Sequence, residues 1–304
     1  MSIIKKIPMP ISSLALSIAA LGNLLLPHGE TIRYICGIIS AIVFAIFLAK
    51  LLFDFGSVKE ELKNPIVLSI LPNATMLIML LCVYIKPYVG NAAQYAWYAA
   101  IITHVFIMLA FVKRFVIGLR IETVFPSWFV ASTGILAVSI TSPVMGAVQV
   151  GQAAFYVGFI LYFVALPAVI FRMIKINPIP EPARPTIAIF TAPMSLCVTG
   201  YLSAFERLNL FPLYVMLIIC GISYIYVSIN LVFLLRLKFY PTYAALTFPY
   251  VISAIAFKEA NAFLVDNGYN FLSFAPKISE PIAVIVVVYV FARYVQFLTS
   301  AGET

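Results

Sequence analysis

Five prolines, nearly evenly spaced, each stand inside or at the mouth of an apolar stretch long enough to cross a membrane. They are Pro10, Pro72, Pro126, Pro193 and Pro249, separated by 62, 54, 67 and 56 residues. Proline removes a backbone donor and clashes with the preceding turn, so an apolar helix accepts it where a kink or a freed carbonyl is wanted. Five in register indicate a repeat. The last two copies are close residue by residue: Pro185-Thr-Ile-Ala-Ile-Phe-Thr-Ala-Pro193 against Pro241-Thr-Tyr-Ala-Ala-Leu-Thr-Phe-Pro249. Pro65 and Pro72 form a similar pair. A period of about sixty residues holds two membrane helices and their loops, so the unit reads as a helical hairpin. Five hairpins give ten helices.

Composition identifies the solvent. The chain is 63% hydrophobic and 10% charged, with a mean hydropathy of +1.08, against about 25% charged in soluble domains. Its sequence predicts an all-α integral membrane protein. Spanning segments are expected at about 8–26, 33–53, 65–86, 93–112, 124–144, 150–174, 185–205, 211–235, 241–264 and 279–299. They fill most of the 304 residues, so the reading is a single transmembrane domain of five hairpins at roughly 1–54, 55–115, 116–176, 177–238 and 239–304. Lys5 and Lys6 precede the first segment, which lacks a convincing small-residue cleavage site and reads as a retained helix.

Basic residues fall unevenly on the two sides of such an arrangement. With the N-terminus inside, 14 of the 19 Lys and Arg lie on the inner side; Arg33, Lys86, Arg207, Lys258 and Lys277 lie outside. Positive charge marks cytoplasmic loops, so both termini are expected in the cytoplasm. The formal charge of +8 then sets topology and contacts lipid headgroups, and no basic soluble face exists for nucleic acid. Cys36, Cys82, Cys197 and Cys220 each sit alone in an apolar segment. No His, Cys or carboxylate pair has metal-ligand or nucleophile-and-base spacing. The chain is therefore read as no enzyme, with neither metal nor cofactor. His104, inside the fourth segment, reads either as a proton relay or as a neutral histidine bonded to a neighbouring helix.

Odd and even segments differ in kind. Odd segments gather small polar residues beside their prolines: Ser12 and Ser13; Asn73 and Thr75; Ser127, Ser132 and Thr133; Thr191, Ser195 and Thr199; Thr247 and Ser253. Even segments are larger and more apolar, as at Ile38 to Phe47 or Val284 to Val290. Polar groups and broken backbone are tolerated at depth where they meet protein or water, which puts odd helices inside and even ones outside. Five kinked helices around one axis make a pore, with Ser12, Ser13, Asn73, Thr75, Ser132, Thr133, Thr191, Ser195, Thr247, Ile252 and Glu259 as candidates for its lining. For any one hydroxyl the alternative is close helix packing.

The opening Pro8-Met-Pro-Ile-Ser, the Thr-Ala-Pro193 of the seventh segment and Ala245-Leu-Thr-Phe-Pro249 of the ninth resemble the tellurite-resistance and C4-dicarboxylate transporter family, TehA-like proteins related to the slow-type plant anion channels. The resemblance spans the chain. It implies five inner and five outer helices, a homotrimer in the plasma membrane, passage of small anions, and a pore plugged by the aromatic at the Phe248 position. Ser12, Ser13 and Ala15 depart from the glycine-rich first helix usual in that family. Lys258 and Glu259 are also unusual. On a helical wheel Glu259 falls about 20° from Phe248, either neutralised by Lys258 or a neighbouring helix, or free to couple transport to protons. The sequence thus leaves two transport readings: an anion channel, or a proton-coupled carrier of an anion such as sulfite or a C4-dicarboxylate. Reporters or accessible cysteines placed at 147 and 180 are expected on opposite sides of the membrane; finding both on one side would overturn the helix count.

Overall fold

The computed structural model describes residues 3–176 and 179–300; the ends of the first and last hairpin units, and positions 177–178 at the head of the fourth, lie outside them. Every regular element among the described residues is helical. In chain order the major elements are α1 (Ile11–Leu24), α2 (Glu30–Phe53), α3 (Pro65–Val89), α4 (Asn91–Val116), α5 (128–141), α6 (Val148–Lys175), α7 (Glu181–Ala204), α8 (Leu210–Leu234), α9 (Pro241–Asp266) and α10 (Phe274–Ser300). Eight of these are long and apolar enough to cross a membrane. The exceptions are α1 and α5.

Those two differ from the full-length spans expected at 8–26 and 124–144. α1 has 14 residues, roughly 21 Å of helix. α5 consists of Trp128–Thr133 and Leu136–Thr141, joined through Gly134 and Ile135. Irregular backbone survives at membrane depth when protein encloses it, and thirteen of the fourteen residues of α1 are buried.

Each of the five spaced prolines heads a stretch of α-helix. Pro10 is the residue before α1, and Pro72 opens Pro72–Val89 after a break at Leu71. Pro126 lies just ahead of Trp128, while Pro193 and Pro249 fall in the first turns of Ala192–Ala204 and Thr247–Asp266. The first N–H groups of a helix have no intrahelical acceptor, so a missing donor costs little there. Ahead of Pro193 and Pro249 the chain runs as 3-10 helix, Glu181–Thr191 and Pro241–Leu246, and these two stretches pack on one another. The matching sequences thus take matching local conformations. The prolines inside α-helix are others: Pro87 within α3, Pro167 within α6 and Pro281 within α10.

The odd-numbered elements close a ring. α1 packs on α3, α3 on α5, α5 on α7, α7 on α9, and α9 back on α1. Each even helix covers the groove between its predecessor and the next ring member: α2 on α1 and α3, α4 on α3 and α5, α6 on α5 and α7, α8 on α7 and α9, α10 on α9 and α1. In the outer helices 22–33% of the apolar stretch is buried, against 61–78% in α3, α7 and α9. The outer faces show large apolar side chains at helical spacing, such as Ile35, Ile38 and Ile42 or Ile218, Ile222, Ile225 and Ile229. This is the surface a helix presents to hydrocarbon.

Tyr84 fastens α3 to α1 and α2. Its hydroxyl donates to the Ala19 carbonyl at 2.6 Å, its ring carries the Arg33 guanidinium at 4.2 Å, and it fits only because Gly37 has no side chain. A Cβ on Gly37 would meet the ring at 2.8 and 2.9 Å, whereas one on Gly221 would meet nothing within 4 Å. Overpacking of a held aromatic costs about 1–3 kcal/mol. Gly37→Ala is therefore expected to lower the melting temperature, and Gly221→Ala is expected to leave it unchanged or raised; equal behaviour of the two would contradict the close α2–α3 contact.

Candidate functional site

Two cavities lie along the ring axis. The first, about 20 Å³, is walled by all five inner elements, with Ser13, Asn73, Val130, Thr186 and Phe248 among its lining. The second, about 90 Å³, is also walled by all five and includes Asn23, Leu80, Thr141, Thr199 and Glu259. Phe248 belongs to both walls and stands between them. A wider recess of about 390 Å³ shares Pro10, Ile66 and Thr242 with the first cavity and carries Glu122.

The lining residues obey helical phase. On α1 they are Ser13, Leu16, Ala20 and Asn23; on α7, Thr186, Ile189, Ala192, Leu196 and Thr199; on α9, Thr242, Ala245, Phe248, Ile252, Ile255 and Glu259, with Ala244 and Pro249 flanking this stripe at the first cavity. Steps of three and four residues keep one face toward the axis.

Neighbours on three sides hold the Phe248 turn. The Thr247 hydroxyl bonds the Ala244 carbonyl at 2.7 Å and accepts from Ser17 of α1 at 2.7 Å. The Pro249 carbonyl accepts from Thr191 of α7 at 3.1 Å. Tyr250 stands edge-on to Tyr224 of α8, with ring centroids 5.5 Å apart. With those three directions occupied, Phe248 faces the axis and is 9% exposed.

Of the residues singled out from sequence, Ser13, Asn73, Phe248, Ile252 and Glu259 line the cavities, as do Pro10 and Pro249. The other hydroxyls have different partners. Ser12 bonds the Met9 carbonyl, and Ser132 and Thr133 bond that of Phe129. Thr191, Ser195 and Ser253 form one cluster, Ser253 lying 2.9 Å from each of the other two, that laces α7 to α9 beside Pro249. Thr75 turns outward to His104 Nδ1 at 2.7 Å. Pro72, Pro126 and Pro193 are absent from both linings. His104 is fully buried on α4 and likewise lines neither cavity.

Polar groups within the cavities are sparse. Asn73 Nδ2 lies 2.7 Å from Ser13 Oγ, while Asn73 Oδ1 is buried without a partner. Thr199 is buried and its hydroxyl also lacks one. Lys258 does not neutralise Glu259. Its ammonium reaches the Leu24 carbonyl at 2.9 Å and Glu280 Oε2 at 2.5 Å, and the other Glu280 oxygen meets His28 Nε2 at 2.6 Å. Among the described residues no cation lies within 4.0 Å of the Glu259 carboxylate. Asn23, Thr186 and Thr242 are lining residues that sequence reading passed over. Their signal was phase, three- and four-residue steps from Ser13, Thr199 and Phe248.

A closed ring of inner helices around axial cavities, jacketed by lipid-facing helices, defines a multi-pass membrane transport protein. The sequence profile of the SLAC1 family, described as voltage-dependent anion channel, matches residues 7–295, and the chain belongs to that family. Membership makes it an anion channel or transporter with small anions as its substrates, and the family is not an enzymatic one. No curated protein matches it in sequence.

Proposed function

We propose that the protein is a channel that passes small anions along the ring axis, the two cavities serving as vestibules and Phe248 as the constriction between them. The observation that carries this reading is the membership of Phe248 in both cavity walls. An aromatic ring at that point obstructs the ion and breaks a continuous water column. Selectivity then rests on neutral ligands. Ser13 and Asn73 offer a hydroxyl and an amide in the first vestibule. Exchanging the two ends of the amide keeps the Ser13 bond, with the hydroxyl now donating, and turns an NH₂ donor into the cavity in place of an orphaned oxygen. Such ligands hold an anion weakly enough to release it.

In this reading the chain crosses the plasma membrane ten times as five hairpins, at 1–54, 55–115, 116–176, 177–238 and 239–304, with both termini cytoplasmic. α1 and α5 cross together with the non-α segments that lead into them. Three chains assemble as a homotrimer with one pore each, and a purely monomeric native mass spectrum in detergent would count against that. A proton-coupled carrier of sulfite or a C4-dicarboxylate is the second reading, favoured by the uncompensated Glu259.

Phe248→Ala tests the constriction. Removal of the ring is expected to raise anion flux in proteoliposomes severalfold or more, with relative permeabilities little changed. Were Phe248 a packing residue alone, the substitution would leave a cavity costing about 3–5 kcal/mol. A lowered melting temperature with unchanged flux would overturn the gate.

A further inference from the structure

The second cavity holds four polar side chains from four ring helices, Asn23 of α1, Thr141 of α5, Thr199 of α7 and Glu259 of α9. Thr141 is spent, donating to the Ala137 carbonyl and accepting from Trp97 Nε1. Asn23 Oδ1 accepts from Arg33 Nε at 2.9 Å. A guanidinium can only donate, so that atom is the oxygen, and the NH₂ end of Asn23 remains for the cavity. The Thr199 hydroxyl is buried with no partner, one unspent donor in the wall. Neither Asn23 Nδ2 nor the Thr199 hydroxyl makes a hydrogen bond in the structure. Glu259, an exposed residue on the same wall, is the contradiction, because an ionised carboxylate there meets an entering anion with like charge.

The surrounding charges do not resolve it. On α9, Lys258 is engaged by Glu280 and the Leu24 carbonyl, and Asp266 lies at the far end of the helix. The helical stretches of α1, α7 and α8 packed on α9, Ile11–Leu24, Ala192–Ala204 and Leu210–Leu234, contain no charged residue, though α7 carries Cys197 and Tyr201 and α8 carries Cys220 and Tyr224. α10 brings Glu280, which is shared between Lys258 and His28, and Lys277, which is exposed; Arg293 lies toward its other end. Arg33 of α2 reaches the cavity only through Asn23 and is stacked on Tyr84.

We infer that Asn23, Thr199 and Glu259 form an anion-binding site conditional on a proton: with Glu259 ionised the site repels anions, and with Glu259 protonated it presents a third donor and accepts one. The proton comes from water in the vestibule onto a Glu259 oxygen and returns there when the anion leaves. No covalent bond to the anion is made. Such a site suits small monovalent anions of weak acids, such as formate or bisulfite, which are abundant at the pH that protonates a carboxylate. The inference rests on the axial pathway proposed above and adds to it a substrate class and a proton requirement.

The test is anion flux into proteoliposomes, with formate and chloride as probes, measured from pH 5 to pH 8 in the Phe248→Ala background so that the constriction does not limit the rate. With Glu259 present, flux is expected to fall about tenfold or more as pH rises, since a unit charge a few ångströms from the ion changes its occupancy by at least that factor. Glu259→Gln, a permanent neutral donor, is expected to abolish the pH dependence and hold flux near the low-pH level. Glu259→Asp should retain the dependence, and Thr199→Val should lower flux at every pH. A pH profile unchanged by Glu259→Gln would overturn the inference while leaving the axial pathway standing. So would flux in that variant lowered at all pH values with an unaltered melting temperature. Absence of flux in the Phe248→Ala background itself would overturn the pathway and the site together.

Discussion

A backbone that leaves the α-helix inside a bilayer must be enclosed by other protein, because hydrocarbon satisfies none of its N–H and C=O groups. The rest of this structure depends on that constraint. Long 3-10 stretches in α7 and α9, the break at Leu71 in α3 and the two-piece α5 would each be prohibitive against lipid. Placed side by side in a ring, they enclose one another. The outer helices complete the enclosure and, being regular, meet lipid without difficulty.

The same constraint explains how a nearly uncharged ring can hold axial cavities. Where a helix gives way to a tighter turn, its side chains and carbonyls no longer follow one straight stripe, and neighbouring elements cannot close on the axis completely. The hydroxyls of Ser17, Thr191, Ser195, Ser253 and Thr247 are spent stitching these irregular places to adjacent ring members. Their work is to hold the turn before Pro249 in one geometry. Phe248 inherits its position between the cavities from those bonds.

Charge is handled by separation. Lys258 and Glu259 are adjacent in sequence yet point to different partners, because consecutive helical side chains stand about 100° apart. Lys258 joins Glu280 and His28 where α9, α10 and the turn after α1 come together, and Glu259 is left facing the second cavity. One residue of helical phase thus decides which charge is neutralised and which remains available to an ion.

Much of the architecture was legible beforehand. The repeat of prolines, the apolar segments and the polar character of the odd helices are properties of residue order, and lipid imposes the same requirement on any chain with them. Alternation of inner and outer helices follows from that. The site was only partly legible, because hydroxyl residues were chosen by type when the cavity selects by phase: Thr191 and Ser195 each precede a lining residue, Ala192 and Leu196, by one position. Ser13, Asn73, Phe248, Ile252 and Glu259 lie on the axial stripe, while Asn23, Thr186 and Thr242 lay on it unread. By itself, then, the sequence determined a helical membrane protein with regularly placed helix breaks, since backbone hydrogen bonding and hydrophobicity act locally. Only the tertiary structure decided which side chain of each turn meets the axis and whether Glu259 finds a cation. Those outcomes depend on the rotation of each helix, set by contacts with residues far away in the chain.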